Sequence, residues 1–428
     1  MAVYVFMVVA LFFYRIAFGP YINLSLFHVF LISHSLLILV GLPFLDQEPE
    51  GYRTYYWSAI LVPFIFLIGG LFVRLMPSKD AINTRAFLKM ESVMIKYSWL
   101  LLAVFLAFLV LYTLDIGFER SAFLYALLNP GDSVGAMDLR LASMESNLSP
   151  YLNRIYGYTR SIFVLFICSF FTVEYCRGRI SKILFLLIVF SSIFYCAYSA
   201  AKAPIFYLIL AMSLSFYWYR AHASGSALGA WKALSIFMAI VVLGLGVSAA
   251  FYPILHGYSG FEAVTYAFDQ VFDRIFLVPG RAAFLYFDVF GAVFDHPGLQ
   301  SVGVVASFLG NENVSLASYL YSYMYDNQFS DKGLINASFF ATAYGYFGLI
   351  GMFNVVLFSG FIVGFVQKFI DMIPTIGIRA SVQAVCALAV AQLSLADLTS
   401  TLFGRGLVLI PVLVFFASIF FTSLLKRK

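Results

Sequence analysis

LSLFHVFLISHSLLILVGLPF, residues Leu24 to Phe44, contains no Asp, Glu, Lys or Arg. A helix of about 20 apolar residues crosses the hydrocarbon core of a bilayer and satisfies its backbone polar groups internally. The stretch therefore reads as a membrane span. Further apolar runs occupy Ala2–Tyr14, Tyr55–Val73, Ser98–Leu114, Ser161–Cys176, Ile183–Ala201, Ile205–Tyr219, Ala233–Ala250, Phe339–Phe365, Ser381–Ala396 and Gly406–Leu425. Together they make about eleven transmembrane helices, within a range of roughly 10–12.

Composition agrees with that reading over the whole chain. Of 428 residues, 62% are hydrophobic and 11% are charged, whereas about a quarter of residues are charged in soluble proteins. The apolar runs do not show the short alternating segments of a β-barrel. An all-α polytopic membrane protein follows, with residues 1–428 as a single integral membrane domain. The N-terminal run MAVYVFMVVALFF has no basic segment before its apolar core and reads as a retained first span. Cys168, Cys176, Cys196 and Cys386 lie in or beside apolar segments without paired spacing, which suits packing rather than a metal site or disulfide framework.

Basic residues orient the chain. With these spans, 16 Lys and Arg residues fall on one face and nine on the other, with Arg160 at a boundary. The positive-inside rule places the richer face in the cytoplasm, the N-terminus outside and the C-terminus inside. Two long loops, 115–159 and 251–337, are then external. The first holds the turn clusters NPGD and SNLSP, which suit a folded surface segment. The second contains FLYFDVFGAVF and VGVVASFLG, too short or interrupted to span. Short amphipathic or re-entrant helices are expected there, from about Glu262 to Ala292 and from Val302 to Leu309, resting on the membrane surface.

The polar interval from Phe251 to Ile335 also carries the residues best suited to chemistry. Arg274 and Arg281 are seven positions apart, so an uninterrupted helix would place them within about 20° of one face. Paired guanidiniums suit bidentate binding of phosphate or pyrophosphate; alternatively, each pairs with Asp269, Asp273 or Asp288 and orders the loop. Lys202, in SAAKAP at the external end of a span, is a third anion contact or a snorkelling residue. His296, in DHPG, has the side chain suited to accepting a proton from an attacking hydroxyl, or is a surface turn residue. His256, Glu312 and Asp326 are further loop groups considered for acid–base work. Phosphate-loop, HExxH and CxxC signatures do not occur, and no dense acidic intramembrane relay is evident.

NASFFATAYGYFGLIGMFNVVLFSGFIVG, from Asn336 to Gly364, adds a Gly- and aromatic-rich pattern. With RIF beginning at Arg274 and SAAKAP before a span, the chain resembles Wzy-type O-antigen and oligosaccharide repeat-unit polymerases over Ala200–Gly364. The resemblance implies a fold related to the O-antigen ligase and other GT-C-like glycosyltransferases that use lipid-phosphate sugars. It implies glycosyl transfer between undecaprenyl-pyrophosphate-linked oligosaccharides on the periplasmic side of a bacterial inner membrane, with no essential metal or other cofactor. Carried onto this chain, the catalytic candidates are Arg274, Arg281 and His296, and the substrate-binding candidates are Lys202, Arg154, Glu312 and Asn336. Arg274 and Arg281 are expected to line one cavity, with Lys202 near its rim. A chain-length regulator and a flippase are implied partners, and nucleic acid is not. The competing readings are an O-antigen ligase and a transporter of polysaccharide or lipid-linked oligosaccharide.

Overall fold

The computed structural model describes residues 24–45, 51–77, 84–129, 132–143, 146–199, 202–224, 262, 265–266, 269, 272–302, 305–306, 309–311, 314–325 and 334–426. Its regular elements are helical, with no strand among the described residues. Among the described residues, five helices are long and apolar enough to cross a membrane: Leu26–Phe44, Gly51–Leu75, Ser98–Ile116, Tyr151–Cys176 and Phe339–Met372. Lys182–Ala197, Ile376–Gln392 and Leu409–Ser423 are apolar but shorter. The expected spans Ala2–Tyr14 and Ala233–Ala250 lie outside the described residues, while Ile205–Tyr219 falls within the helix Lys202–Ser224.

The chain divides into two units. The first comprises Met1–Lys79, Phe272–Lys368 and Ala389–Leu402. Its framework is a close crossing of Gly51–Leu75 and Phe339–Met372. A methyl group at Gly69 would run into the Leu357 carbonyl, and one at Gly360 into the Phe66 carbonyl. Gly364 approaches the Gly70 Cα as well. Small residues permit such backbone contact in membrane bundles, where dispersion must replace a hydrophobic driving force. Beside the crossing, Phe30 stacks on Phe66 with ring centroids 3.8 Å apart. At one end, Lys368 Nζ donates to the Met76 carbonyl at 2.7 Å.

The helix Val278–Val289, from the second long loop, packs against Gly51–Leu75. Phe284 and Phe287 contact the ring of buried Tyr55. A Cβ at Gly51 would meet the Phe287 carbonyl. Most of this helix is buried inside the unit, so its apolar face is covered by protein. Gly280, Ala282 and Ala283 give it a flat flank, and its aromatics find protein partners. Val305, Ala306 and Leu309 of the second expected segment are helical.

The second unit comprises Asp80–Val271, Phe369–Leu388 and Phe403–Lys428. The first long loop is folded, as the turn clusters imply, into helices Ala122–Leu128, Ser133–Ala142 and Pro150–Tyr158. Asp115 organises its base by accepting from Ser146 Oγ at 2.6 Å, Tyr156 OH at 2.7 Å and Leu148 N at 3.0 Å. Elsewhere in the unit, Arg177 Nη1 donates to both Glu91 and Glu174 at 2.6 Å, and Arg179 joins the same two carboxylates. This ionic knot ties the amphipathic helix Thr84–Lys96 to the end of Val164–Cys176. Its two acids are balanced by two guanidiniums, as buried carboxylates require.

Candidate functional site

The first unit places the DHPG loop against a break in the helix Phe339–Met372. Gly348 has φ 68° and ψ −170°, a backbone region open essentially to glycine alone. The break deprives the carbonyls just before it of their usual intrahelical donors. The loop supplies replacements. Gly298 N donates to the Tyr346 carbonyl at 2.9 Å, and His296 Nδ1 lies 3.0 Å from the Gly345 carbonyl.

A carbonyl oxygen only accepts, so Nδ1 carries the proton, and Nε2 of the neutral ring is left with a lone pair. Two glycines keep that edge of the imidazole open: a Cβ at Gly291 would stand 3.2 Å from Nε2, and one at Gly348 3.3 Å. Tyr344 meets the ring edge-to-face at 5.3 Å and is itself stacked on Phe287 at 4.0 Å. The half-buried imidazole is thus oriented through Nδ1, and neither Gly291 nor Gly348 sets a side chain against Nε2, an arrangement a general base can use.

On the same two turns of helix, Thr342 and Tyr346 help line a cavity of about 210 Å³ shared with Tyr286, Asn336, Asp397 and Thr399. Tyr286 OH donates to the Ile335 carbonyl at 3.0 Å, and Tyr346 OH to the Val314 carbonyl at 2.6 Å. Burial pushes the Tyr286 phenol up, with Tyr346 and Asp397 adding to that shift and the Thr342 hydroxyl opposing it. The phenol therefore remains a neutral hydrogen-bonding group.

Asp397 caps the turn that follows it. Its Oδ1 accepts from Thr399 Oγ1 at 2.5 Å and Ser400 N at 2.9 Å, while Oδ2 accepts from Ser400 Oγ at 2.8 Å. No Lys, Arg or His forms an ion pair with it among the described residues. In the same unit, the hydroxyls of Ser338, just before the helix Phe339–Met372, and of Ser394, three residues before Asp397, are fully buried without a hydrogen-bond partner.

The expected residues are only partly gathered. Arg274 lies in a π-helical turn, Asp273–Leu277, and Arg281 in the α-helix that follows; both are exposed and neither lines the cavity. The π turn inserts roughly one residue into the helical winding, so the pair is rotated about a quarter-turn or more away from the shared face that α-helical spacing predicts. Asn336 is exposed at the cavity. Arg154 is exposed on Pro150–Tyr158 in the second unit, and Lys202 begins the helix Lys202–Ser224 there. The Lys202 side chain and Glu312 lie outside the described residues, as do His256 and Asp326.

Sequence reasoning passed over Asp397 and Arg160. Asp397 was legible as an acid at the very edge of an apolar run, followed by the Thr and Ser of a capped turn. Arg160 sits inside a candidate span, within the π turn Thr159–Phe163. It donates to Ser199 Oγ at 3.1 Å and Tyr112 OH at 2.9 Å, and lies 5.3 Å over the Tyr195 ring. Its Nε is buried without a partner. Comparison of the chain with protein-family models, curated proteins and solved structures yields no match.

Proposed function

We propose that the protein is a polytopic inner-membrane glycosyltransferase of the repeat-unit polymerase type, with the DHPG loop and the broken helix as its catalytic region. The observation that carries this reading is the imidazole of His296, fixed through Nδ1 with two glycines beside Nε2. In the proposed step, an acceptor sugar hydroxyl gives its proton to Nε2 while its oxygen bonds to the donor anomeric carbon. The bond from that carbon to undecaprenyl pyrophosphate breaks, and the leaving group takes the electron pair. Arg274 and Arg281 belong to the same unit and supply positive charge for the departing pyrophosphate. Because they are rotated apart, they act on different oxygens or at different stages rather than as one fork. The proposed topology has eleven spans, an external N-terminus and a periplasmic catalytic face.

The test is the lipopolysaccharide ladder of a gene-deletion strain, complemented by wild type or His296→Ala at matched membrane levels. The expected result is collapse to single-repeat caps in the deletion and in His296→Ala, with lipid-linked single repeats accumulating. Loss of every cap instead would indicate a ligase. The break at Gly348 specifically favours a second reading, a transporter, because broken helices line substrate sites in that class. A transporter deletion should leave the lipid-linked repeats inaccessible to a periplasmic glycosidase, whereas a polymerase deletion leaves them accessible.

A further inference from the structure

The cavity beside the DHPG loop has a chemistry of its own. Its polar lining consists of phenols, hydroxyls, the Asn336 amide and the Asp397 carboxylate, with no lysine or arginine among the described residues that line it. A pyrophosphate placed there would meet the Asp397 carboxylate and no cation among the described lining residues. A hydroxyl-rich ring would find both donors and acceptors. Asp397 can accept more: three donors occupy its two oxygens, and Oδ2 receives only one of them, whereas a carboxylate offers about four lone-pair sites.

Size narrows the ligand further. At about 210 Å³, the cavity greatly exceeds the ~15 Å³ required by one water. It is smaller than the ~300–1,000 Å³ pockets that enclose drug-sized ligands. That volume accommodates one sugar ring, and the side open to solvent lets the rest of a saccharide extend outward. Tyr286 and Tyr346 add aromatic surface beside the polar groups, the amphipathic combination that suits a ring with polar edges and C–H faces.

Resting on the glycosyltransferase reading above, we infer that this cavity holds one uncharged sugar ring of the saccharide substrate, and that Asp397 selects against acidic sugars. The carboxylate accepts a ring hydroxyl through Oδ2. A uronic acid would bring a second carboxylate towards one that has no ion-pair partner among the described residues. Asn336, at the exposed side, contacts the ring with its amide.

The experiment uses the full-length protein in lipid nanodiscs, since alkyl-glycoside detergents present sugar headgroups of their own. Saturation-transfer NMR measures binding of a panel of neutral methyl glycosides and of methyl glucuronide at pH 7. The wild type should favour neutral glycosides by roughly tenfold or more, the discrimination expected from like-charge repulsion in a partly desolvated site. Asp397→Asn should bring the ratio to within about threefold, because asparagine also caps helical turns while removing the charge. Asn336→Ala, a change at an exposed position, should weaken the neutral glycosides by several-fold. Equal binding of neutral and acidic sugars by the wild type overturns the inference, as does unchanged neutral binding in both variants or no binding by any probe at millimolar concentration. A normal glycan ladder in the deletion strain would instead overturn the polymerase reading and leave the cavity's measured selectivity intact.

Discussion

His296 and Gly348 show how one residue prepares another. The imidazole is held because the Gly345 carbonyl is available to it, next to a turn that glycine alone adopts readily. Gly348→Ala should therefore act twice. The Gly-only backbone conformation would cost on the order of 1–3 kcal/mol, and the new methyl would crowd His296 Cδ2 and Nε2 at 3.3 Å. We expect glycan polymerisation to fall at least as far as in His296→Ala at matched expression, read from ladder length. Arg160 makes a different prediction. Its fork donates in two directions while stacked over Tyr195, which a lysine ammonium cannot reproduce. Arg160→Lys should destabilise the protein by about 1–2 kcal/mol, roughly one or two lost hydrogen bonds, visible as a lowered thermal midpoint in detergent.

Among the elements, the crossing of Gly51–Leu75 with Phe339–Met372 depends on absent side chains. Gly360 and Gly364 form a G-x-x-x-G pair facing Phe66, Gly70 and Val73. Gly360→Val would force the Phe66 backbone away, and overpacking of this kind costs about 1–3 kcal/mol or more. The expected result is a markedly lower thermal midpoint and reduced membrane yield. Gly404→Val, at a position where a Cβ meets nothing within 4 Å, should change either value much less. The π turn Asp273–Leu277 is equally consequential for the reading of the arginines. Seven-residue spacing places two side chains on one face only in an unbroken α-helix, and the added residue turns Arg281 away from Arg274.

For the whole molecule, the free cysteines provide a test of orientation. Cys168, Cys196 and Cys386 are buried, whereas Cys176 is exposed beside Arg177 on the face expected to be cytoplasmic. A membrane-impermeant maleimide should modify Cys176 in inverted vesicles and leave it unmodified in intact spheroplasts. Labelling from the outside would reverse the orientation drawn from the basic residues and move the DHPG loop to the cytoplasmic side. Cys176→Ser, expected to abolish the signal, identifies the labelled site without removal of the other thiols.

Sequence alone was sufficient for the membrane class, because each uncharged run must satisfy its backbone internally, and a helix does so without information from the rest of the chain. It was also sufficient for the folded first loop, whose caps and turns arise between near neighbours: Ser149 caps Tyr151, and Asp132 receives Gly135 N. His296 and Asn336 were legible as candidates, but their settings were not. Only the tertiary structure decided that His296 is oriented by a carbonyl 49 positions away and that Asn336 shares a cavity with Asp397. It also set a π turn between Arg274 and Arg281 and packed the helix Val278–Val289 onto Gly51–Leu75. These outcomes depend on a helix break, a π turn and glycine contacts between distant segments, where the energy of close packing is settled by partners that local spacing does not specify.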